Sequence, residues 1–301
     1  MTSLRRGTTA GFAGFTAIME LSPLWLVTNA ASGSNSDDAV QDIAASLESI
    51  GCAPVRIICF PDEELPTGED LTRAGVRTLA VFTGDGTINA AATSATGWDG
   101  AILVLPGGTM NLLSKALHGD VPPETITGHL AAGSFRRIGQ PAVRTSQGTA
   151  LVEVLAGPGA MWADVREGVR DLDLGAIAET FSKALRETRE GPGVKVADPA
   201  AGKPDGYRAL RIAPHGNGLH VDGYDFADLA DFAAQGFAML VKRDFRQGPH
   251  DDLGQFDAID CISDSAIALM IDGERRQGDL RERFERIVFP VDFIATKPAG
   301  D

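Results

Sequence analysis

The sequence predicts an α/β fold: a doubly wound parallel sheet followed by a more antiparallel, β-rich second domain. From Leu24 to about Arg136, short apolar runs alternate with longer amphipathic ones, the pattern of strands joined by crossover helices. Glycine turns follow two of those apolar runs, at the strand ends where such sheets bind ligands. After Arg137 the apolar runs are separated by fewer helical stretches, which suits antiparallel pairing. At 301 residues the chain is longer than one core usually organises. We therefore expect domains at 21–137 and 138–301, with the strand-like run 287–295 free to return to either.

The elements follow in order. Residues 24–27 read as a buried strand, and Ser36 or Asp37 caps a helix that runs through Ile50 and stops at Gly51. Residues 55–60 form a second strand, 70–74 a short helix, 78–82 a third strand, 88–96 a helix, 101–105 a fourth strand and 110–117 a helix. Beyond Arg137, strands are expected at 151–155, 209–213, 258–263 and 266–271, with helices at 176–189 and 226–242. Residues 191–206, which hold Pro192, Pro199 and Pro204, read as a mobile loop.

Composition excludes several classes. Lys and Arg number 27 against 41 Asp and Glu, a net charge of −14, which argues against a nucleic-acid partner and a polybasic membrane anchor. Hydrophobic residues at 44% and charged residues at 23% are values of a globular chain with a sizeable core. Cys52, Cys59 and Cys261 form no C-x-x-C pair, so neither a disulfide framework nor a structural zinc site is expected, and a cytoplasmic location is the default. No apolar run reaches the roughly 18 residues of a spanning helix. Residues 1–20 faintly imitate a signal peptide, but glycines and threonines interrupt the apolar stretch. They are read as a disordered extension, with Met19 a candidate start.

The sharpest local signal is Thr83-Gly84-Asp85-Gly86-Thr87-Ile88-Asn89, which follows a strand and opens a helix. Glycines at such a corner let backbone N–H groups approach a phosphate, and the helix N-terminus adds partial positive charge. Asp85 either caps its helix or faces a metal or a substrate hydroxyl. A second corner, Pro106-Gly107-Gly108-Thr109-Met110-Asn111, and a third, Asn29-Ala30-Ala31-Ser32-Gly33, repeat the arrangement. Three polar turns at strand ends make a nucleotide cradle.

These three turns resemble, in order, the N-P-x-S-G, G-G-D-G-T-x-N-E and P-x-G-T-x-N patterns of the diacylglycerol kinase catalytic family, which includes bacterial lipid kinases and sphingosine kinases within a fold shared with NAD kinases. Ile212-Ala213-Pro214 followed by Asp222-Gly223-Tyr224-Asp225 resembles the family's A-P then D-G stretch, and Ile271-Asp272-Gly273-Glu274 its late D-G-E. This chain departs from the patterns at Ala30, Thr83 and Ala90, and Ser34-Asn35-Ser36 stand where bacterial members often carry basic residues. The resemblance implies an ATP- and Mg²⁺-dependent kinase of a lipid hydroxyl, on diacylglycerol, a sphingoid base or a related lipid. Asn29, Ser32, Gly33, Gly84, Asp85, Gly86, Thr87, Asn89, Gly108 and Thr109 would line the ATP site. It also implies a structural Mg²⁺ on Asp222 with the carbonyls of Leu219 and Tyr224, and a proton acceptor at Glu274 with Asp272 beside it. A lipid substrate implies transient peripheral contact with a membrane, the inner membrane in a bacterium, through a local patch or the 191–206 loop. A homodimer is left open. Two alternatives stand beside this reading: a catalytically weak regulatory protein that binds nucleotide or lipid, and a kinase of a soluble substrate such as NAD.

The remaining polar features read as structural. His215 and His220, five apart in a loop, lack a third ligand, and His250-Asp251-Asp252 reads as a solvated loop. Arg275-Arg276 and the mixed-charge run 281–286 read as a solvated face, and Trp162 as a core residue.

Overall fold

The structure, a computed structural model, describes residues 18–29, 36–158, 192–225 and 250–297. The expected helices at 176–189 and 226–242, Trp162, and the turn residues Ser32 and Gly33 lie outside the described residues. Two compact units divide the chain, one of residues 1–140 with 289–301 and one of 141–288.

The first unit contains β1 (Leu24–Asn29), α1 (Asp37–Ser49), β2 (Pro54–Phe60), α2 (Gly68–Arg73), β3 (Thr78–Thr83), α3 (Asp85–Ser94), β4 (Ala101–Pro106), α4 (Leu112–His118) and α5 (Pro123–Ala131). Its strands run in the order β2-β1-β3-β4, all parallel. Helix starts are set by local chemistry: the Ser36 side chain accepts the Ala39 N–H at the head of α1, and Thr67 and Asp70 form a reciprocal capping box on α2. Leu24, Leu26, Ala80, Phe82, Leu103 and Leu105 form one buried face, covered by Ile43 and Leu47 of α1 and by Ile126 and Leu130 of α5. The alternate set, Val27, Leu79, Val81, Ile102 and Val104, is fully buried too. Burial on both faces explains why these strands read as unbroken apolar runs. Ile18 and Leu21 pack into the same core, inside and beside the stretch expected to be an extension.

The helix α5 was not visible in the sequence, because Thr125, Thr127 and Gly128 dilute its apolar pattern; Ile126 and Leu130, four apart on one face, are what hold it. Two helices begin elsewhere than the sequence suggests. The one after the first glycine turn starts at Asp85, three residues early, with Gly84 as its cap. The one after the second starts at Leu112, because Asn111 adopts a left-handed conformation (φ 52°) that ends the turn.

β5 (Arg136–Thr145) leads into the second unit, which continues with β6 (Gly148–Ala150), β7 (Val154–Ala156), β8 (Lys195–Asp198), β9 (Ala200–Ala201), β10 (Ala209–His215), β11 (Gly218–Tyr224), β12 (Asp251–Phe256), β13 (Ala258–Ile262), β14 (Ala268–Ile271) and β15 (Glu274–Gln277). The last strand, β16 (Arg281–Ala295), pairs antiparallel with β13 through residues 281–285, and in the first unit its Asp292 and Phe293 pair parallel with β4. One antiparallel sheet has the order β12-β11-β10-β7-β14-β15; β13 pairs with β8, and β8 with β9. Val154, Leu210, Ile212, Leu219, Val221 and Leu269 of the first sheet share a core with Val196, Ile259, Cys261 and Phe284 of the other strands.

Two expectations change here. Within the supposed mobile loop, residues 195–201 form the β8–β9 hairpin, with Asp198 and Pro199 at its turn, and Val194 pairs with Tyr207. Its glycines mark close backbone approach: a Cβ on Gly206, at φ 79°, would lie 2.6 Å from the Val194 carbonyl oxygen. The run 281–286 is likewise no solvated face throughout. As a strand it alternates, with Glu282 and Phe284 buried between exposed Arg281 and Arg283.

Candidate functional site

In the first unit, β1, β3 and β4 end level with one another, Thr28 beside Phe82 and Thr83 beside Pro106. The turns that follow therefore lie at one edge of the sheet. Asn29 at the end of β1 donates from Nδ2 to the Thr87 hydroxyl, 2.9 Å away, tying the first turn to the second. Gly84 and Gly108 touch: a Cβ on Gly108 would lie 2.6 Å from the Gly84 Cα, a distance that backbone cannot yield cheaply. Asn111 locks the second turn, accepting the Gly108 N–H at 2.7 Å and donating to the Gly108 carbonyl at 2.9 Å.

Asp85 caps a helix, but not its own. Its two oxygens accept the N–H groups of Leu112 and Leu113 at the start of α4, each at 3.1 Å. The carboxylate thus complements α4 and clamps the two glycine turns together. α3, by contrast, has no side-chain cap, so the amides of Gly86 and Thr87 belong to a first turn with no intrahelical acceptor. Such a turn, backed by the touching glycines, suits an anion. Thr109 is exposed and Asn89 is half-buried, accepting from the Thr93 hydroxyl. Neither turn segment, 83–89 or 106–111, contains a Lys or Arg.

In the second unit, Asp272 and Gly273 form the two-residue turn between β14 and β15, with φ of 47° and 92° and Ile271 opposite Glu274. Asp272 is buried, and its carboxylate accepts three backbone N–H groups, from Leu151 at 2.7 Å and from Val152 and Glu153 at 3.0 Å. It anchors the hairpin. Glu274, one residue past the turn, is exposed and lies 3.6 Å from Arg276. Of the two carboxylates, Glu274 presents its oxygens to solvent.

Asp222 lies in the middle strand of β10-β11-β12, and its side chain is only 4% exposed. Arg211 of β10 bridges it to Glu153, donating to Asp222 Oδ2 at 2.9 Å and to Glu153 Oε2 at 2.8 Å. Leu219 and Tyr224 share the extended strand β11 with Asp222. Five residues of strand span about 16 Å, so their carbonyls do not converge on one ion with Asp222, and Tyr224's carbonyl accepts the Arg208 N–H at 2.9 Å. The implied Mg²⁺ set does not fit this strand. Other residues gather at Asp222: His220 Nε2 lies 3.0 Å and His250 Nε2 3.6 Å from its Oδ1, and Asp252 Oδ1 lies 3.7 Å from His220 Nε2. His220 and Asp252 are therefore strand residues, not the loop residues expected.

Glu153 and Arg211 escaped the sequence reading. The signal was present as a single charge inside each of two apolar runs, Leu151 to Ala156 and Ala209 to Ala213.

Residues 23–140 match the family model for the diacylglycerol kinase catalytic domain. No protein of curated function matches the chain by sequence. Among solved structures, a diacylglycerol kinase from Bacillus anthracis strain Sterne superposes with a TM-score of 0.57 at 14% identity, over 92% of this chain and 97% of that one. A candidate diacylglycerol kinase from the same strain gives 0.57 at 16% identity, over 92% and 98%. The fold, with its parallel sheet and its antiparallel sheet, is thus that of these proteins. Among the described residues, no helix is long and apolar enough to cross a membrane.

Proposed function

From the match of residues 23–140 to the diacylglycerol kinase catalytic-domain family, we propose that this protein transfers the γ-phosphoryl group of ATP to a lipid hydroxyl, on diacylglycerol, a sphingoid base or a related lipid. The observation that carries the reading is the pair of touching glycine turns at the level ends of β3 and β4, opening onto the uncapped first turn of α3. Phosphoryl transfer asks mainly for positioning and charge neutralisation. The backbone amides of Gly86 and Thr87 supply oriented donors for phosphate oxygens, and Asp85 keeps the two turns in register. Mg²⁺ entering with ATP offsets phosphate charge that these turns, without Lys or Arg, leave unmet.

In the reaction, the lipid oxygen bonds to the γ-phosphorus as the bond from that phosphorus to the bridging oxygen of ADP breaks. The hydroxyl proton passes to a carboxylate, and we assign it to Glu274, whose oxygens are open to solvent. Asp272 acts through Glu274 as a positioning residue, because its three amide bonds fix the turn from which Glu274 projects. A lipid acceptor entails transient contact with a membrane surface.

The test uses γ-labelled ATP, Mg²⁺ and mixed micelles of neutral lipid. Label in the organic phase, falling at least about 100-fold for Glu274→Gln while ATP still protects that variant against heat, is the expected result. An undiminished rate in Glu274→Gln would remove the assigned proton acceptor. A second reading, nucleotide binding without turnover, is favoured by the missing cations and by Asp85 being engaged with α4. Heat protection by ATP with no label in either phase would select it, and label confined to the aqueous phase would select a soluble acceptor.

A further inference from the structure

We propose that His220, Asp222 and Asp252 bind a transition-metal ion, with Zn²⁺ the best fit, that fastens the start of β12 to β11. The fold brings the three together from two places in the sequence. His220 and Asp222, two apart on an extended strand, project to the same face. Across the ladder, Val221 faces Gly254 while Asp222 faces Asp252, so the register skips Leu253. That bulge places a second carboxylate opposite Asp222 where a regular ladder would put a leucine. His250 directly precedes β12, and its ring lies 5.5 Å from that of Tyr224.

The distances suit a small ion. Tetrahedral Zn²⁺ with bonds of about 2.0–2.1 Å separates its ligand atoms by about 3.3 Å. The observed separations of 3.0 and 3.7 Å bracket that value, and the ligand atoms of His220, Asp222 and Asp252 all lie within 4.8 Å of one another. Asp222 supplies an independent sign: its Oδ1 is buried and makes no well-formed hydrogen bond, yet it points at this group. Its other oxygen is held by Arg211, which Glu153 holds in turn. An outer shell of that kind fixes a ligand carboxylate in orientation.

Charge and donor chemistry choose the ion. Asp222 and Asp252 lie directly opposite each other across the ladder, and two like charges so placed are unfavourable. A divalent cation neutralises the group. An imidazole among the donors selects Zn²⁺ over Mg²⁺, which prefers six oxygen ligands in octahedral geometry. The absence of a cysteine pair had argued against structural zinc, but histidine and aspartate donors serve as well. Because the ligands come from both β11 and β12, the ion acts as a clamp between the two strands.

The inference is independent of the kinase reading, since the readout is metal alone. The full chain, stripped by chelator and dialysed, is titrated with Co²⁺ and with Zn²⁺. We expect one Co²⁺ per chain with the visible bands of a tetrahedral site, displacement by Zn²⁺ but not by millimolar Mg²⁺, and a rise in Tm on binding. His220→Gln and Asp252→Asn should each weaken binding more than about 10-fold with an unchanged circular dichroism spectrum, and Glu153→Gln should weaken it about 10-fold. His129→Gln, in the first unit, should bind normally. Absence of the bands, their persistence in the His220→Gln/Asp252→Asn double variant, equal loss in His129→Gln, or displacement by Mg²⁺ would each overturn the proposal.

Discussion

In the first unit the polar groups of interest stand at the ends of strands, where Asn29, Gly84 and Gly108 follow β1, β3 and β4. In the second they stand among the strands themselves, Arg211 in β10 and Asp222 in β11 with Glu153 leading into β7. The difference reflects what each uses as its donor. A site made of backbone amides needs only small residues at a corner and the helix that follows. A site made of charged side chains must neutralise each charge with a partner, and here the partners come from strands 58 and 11 residues apart in sequence.

The comparison breaks most readily at Arg211. Arg211→Met would leave Glu153 and Asp222, with side chains 6% and 4% exposed, buried without their shared cation. Because Arg211 itself is 22% exposed, we expect a loss near the low end for a broken buried pair, about 3 kcal/mol, read from the urea midpoint at constant slope. A loss below about 1 kcal/mol would mean that the second unit does not depend on its internal charges.

pH sharpens the contrast next, because the first unit buries a neutral titratable group. Burial pushes His118 down from 6.5 to about 4, and its Nδ1 shares a hydrogen bond with Thr296 at 2.9 Å. A base with a depressed folded pKa favours the folded state while neutral, so this contribution is complete above about pH 6.5. It is lost as pH falls from there towards 4, where the unfolded chain takes up the proton first. The expected decline between pH 7.5 and 4.5 is about 2 to 3 kcal/mol, and His118→Gln should flatten it. An unchanged slope in that variant would assign the acid sensitivity elsewhere.

A smaller effect is expected at the clamp between the glycine turns. Asp85→Ala removes both acceptors at the head of α4, which should cost about 1–2 kcal/mol and reduce heat protection by ATP more than Glu274→Gln does. Retained protection would separate the cap from the cradle. Least of all should follow from Arg73→Ala. Arg73 pairs with both Glu69 and Asp70, but at 67% side-chain exposure these pairs are solvent-screened, and no measurable shift of the midpoint is expected.

Much of the first unit was legible because its signals are local. Alternating runs, Ser36, Gly51 and the glycine turns each determine a strand, a cap or a corner within a few residues, and the fold class followed from them. Where the reading missed, a distant contact had decided the outcome. Residues 191–206 carry the composition of a loop, yet their prolines and glycines serve a hairpin turn and the close approach of Val194 to Gly206 and Tyr207. His220 looked isolated because the bulge that gathers it with Asp222 and Asp252 can be seen only across the ladder.

By itself, the sequence determined the α/β class, the corners able to cradle phosphate and the order of its motifs, since these depend on residue size, backbone freedom and periodicity along the chain. Tertiary structure alone decided whom the carboxylates serve. Asp85 binds the amides of α4 and Asp272 those of residues 151–153, Asp222 joins Arg211 and two imidazoles, and Glu274 is left facing water. A carboxylate's role depends on the donors and charges within a few ångströms, and those neighbours arrive from distant sequence only when the sheets are built.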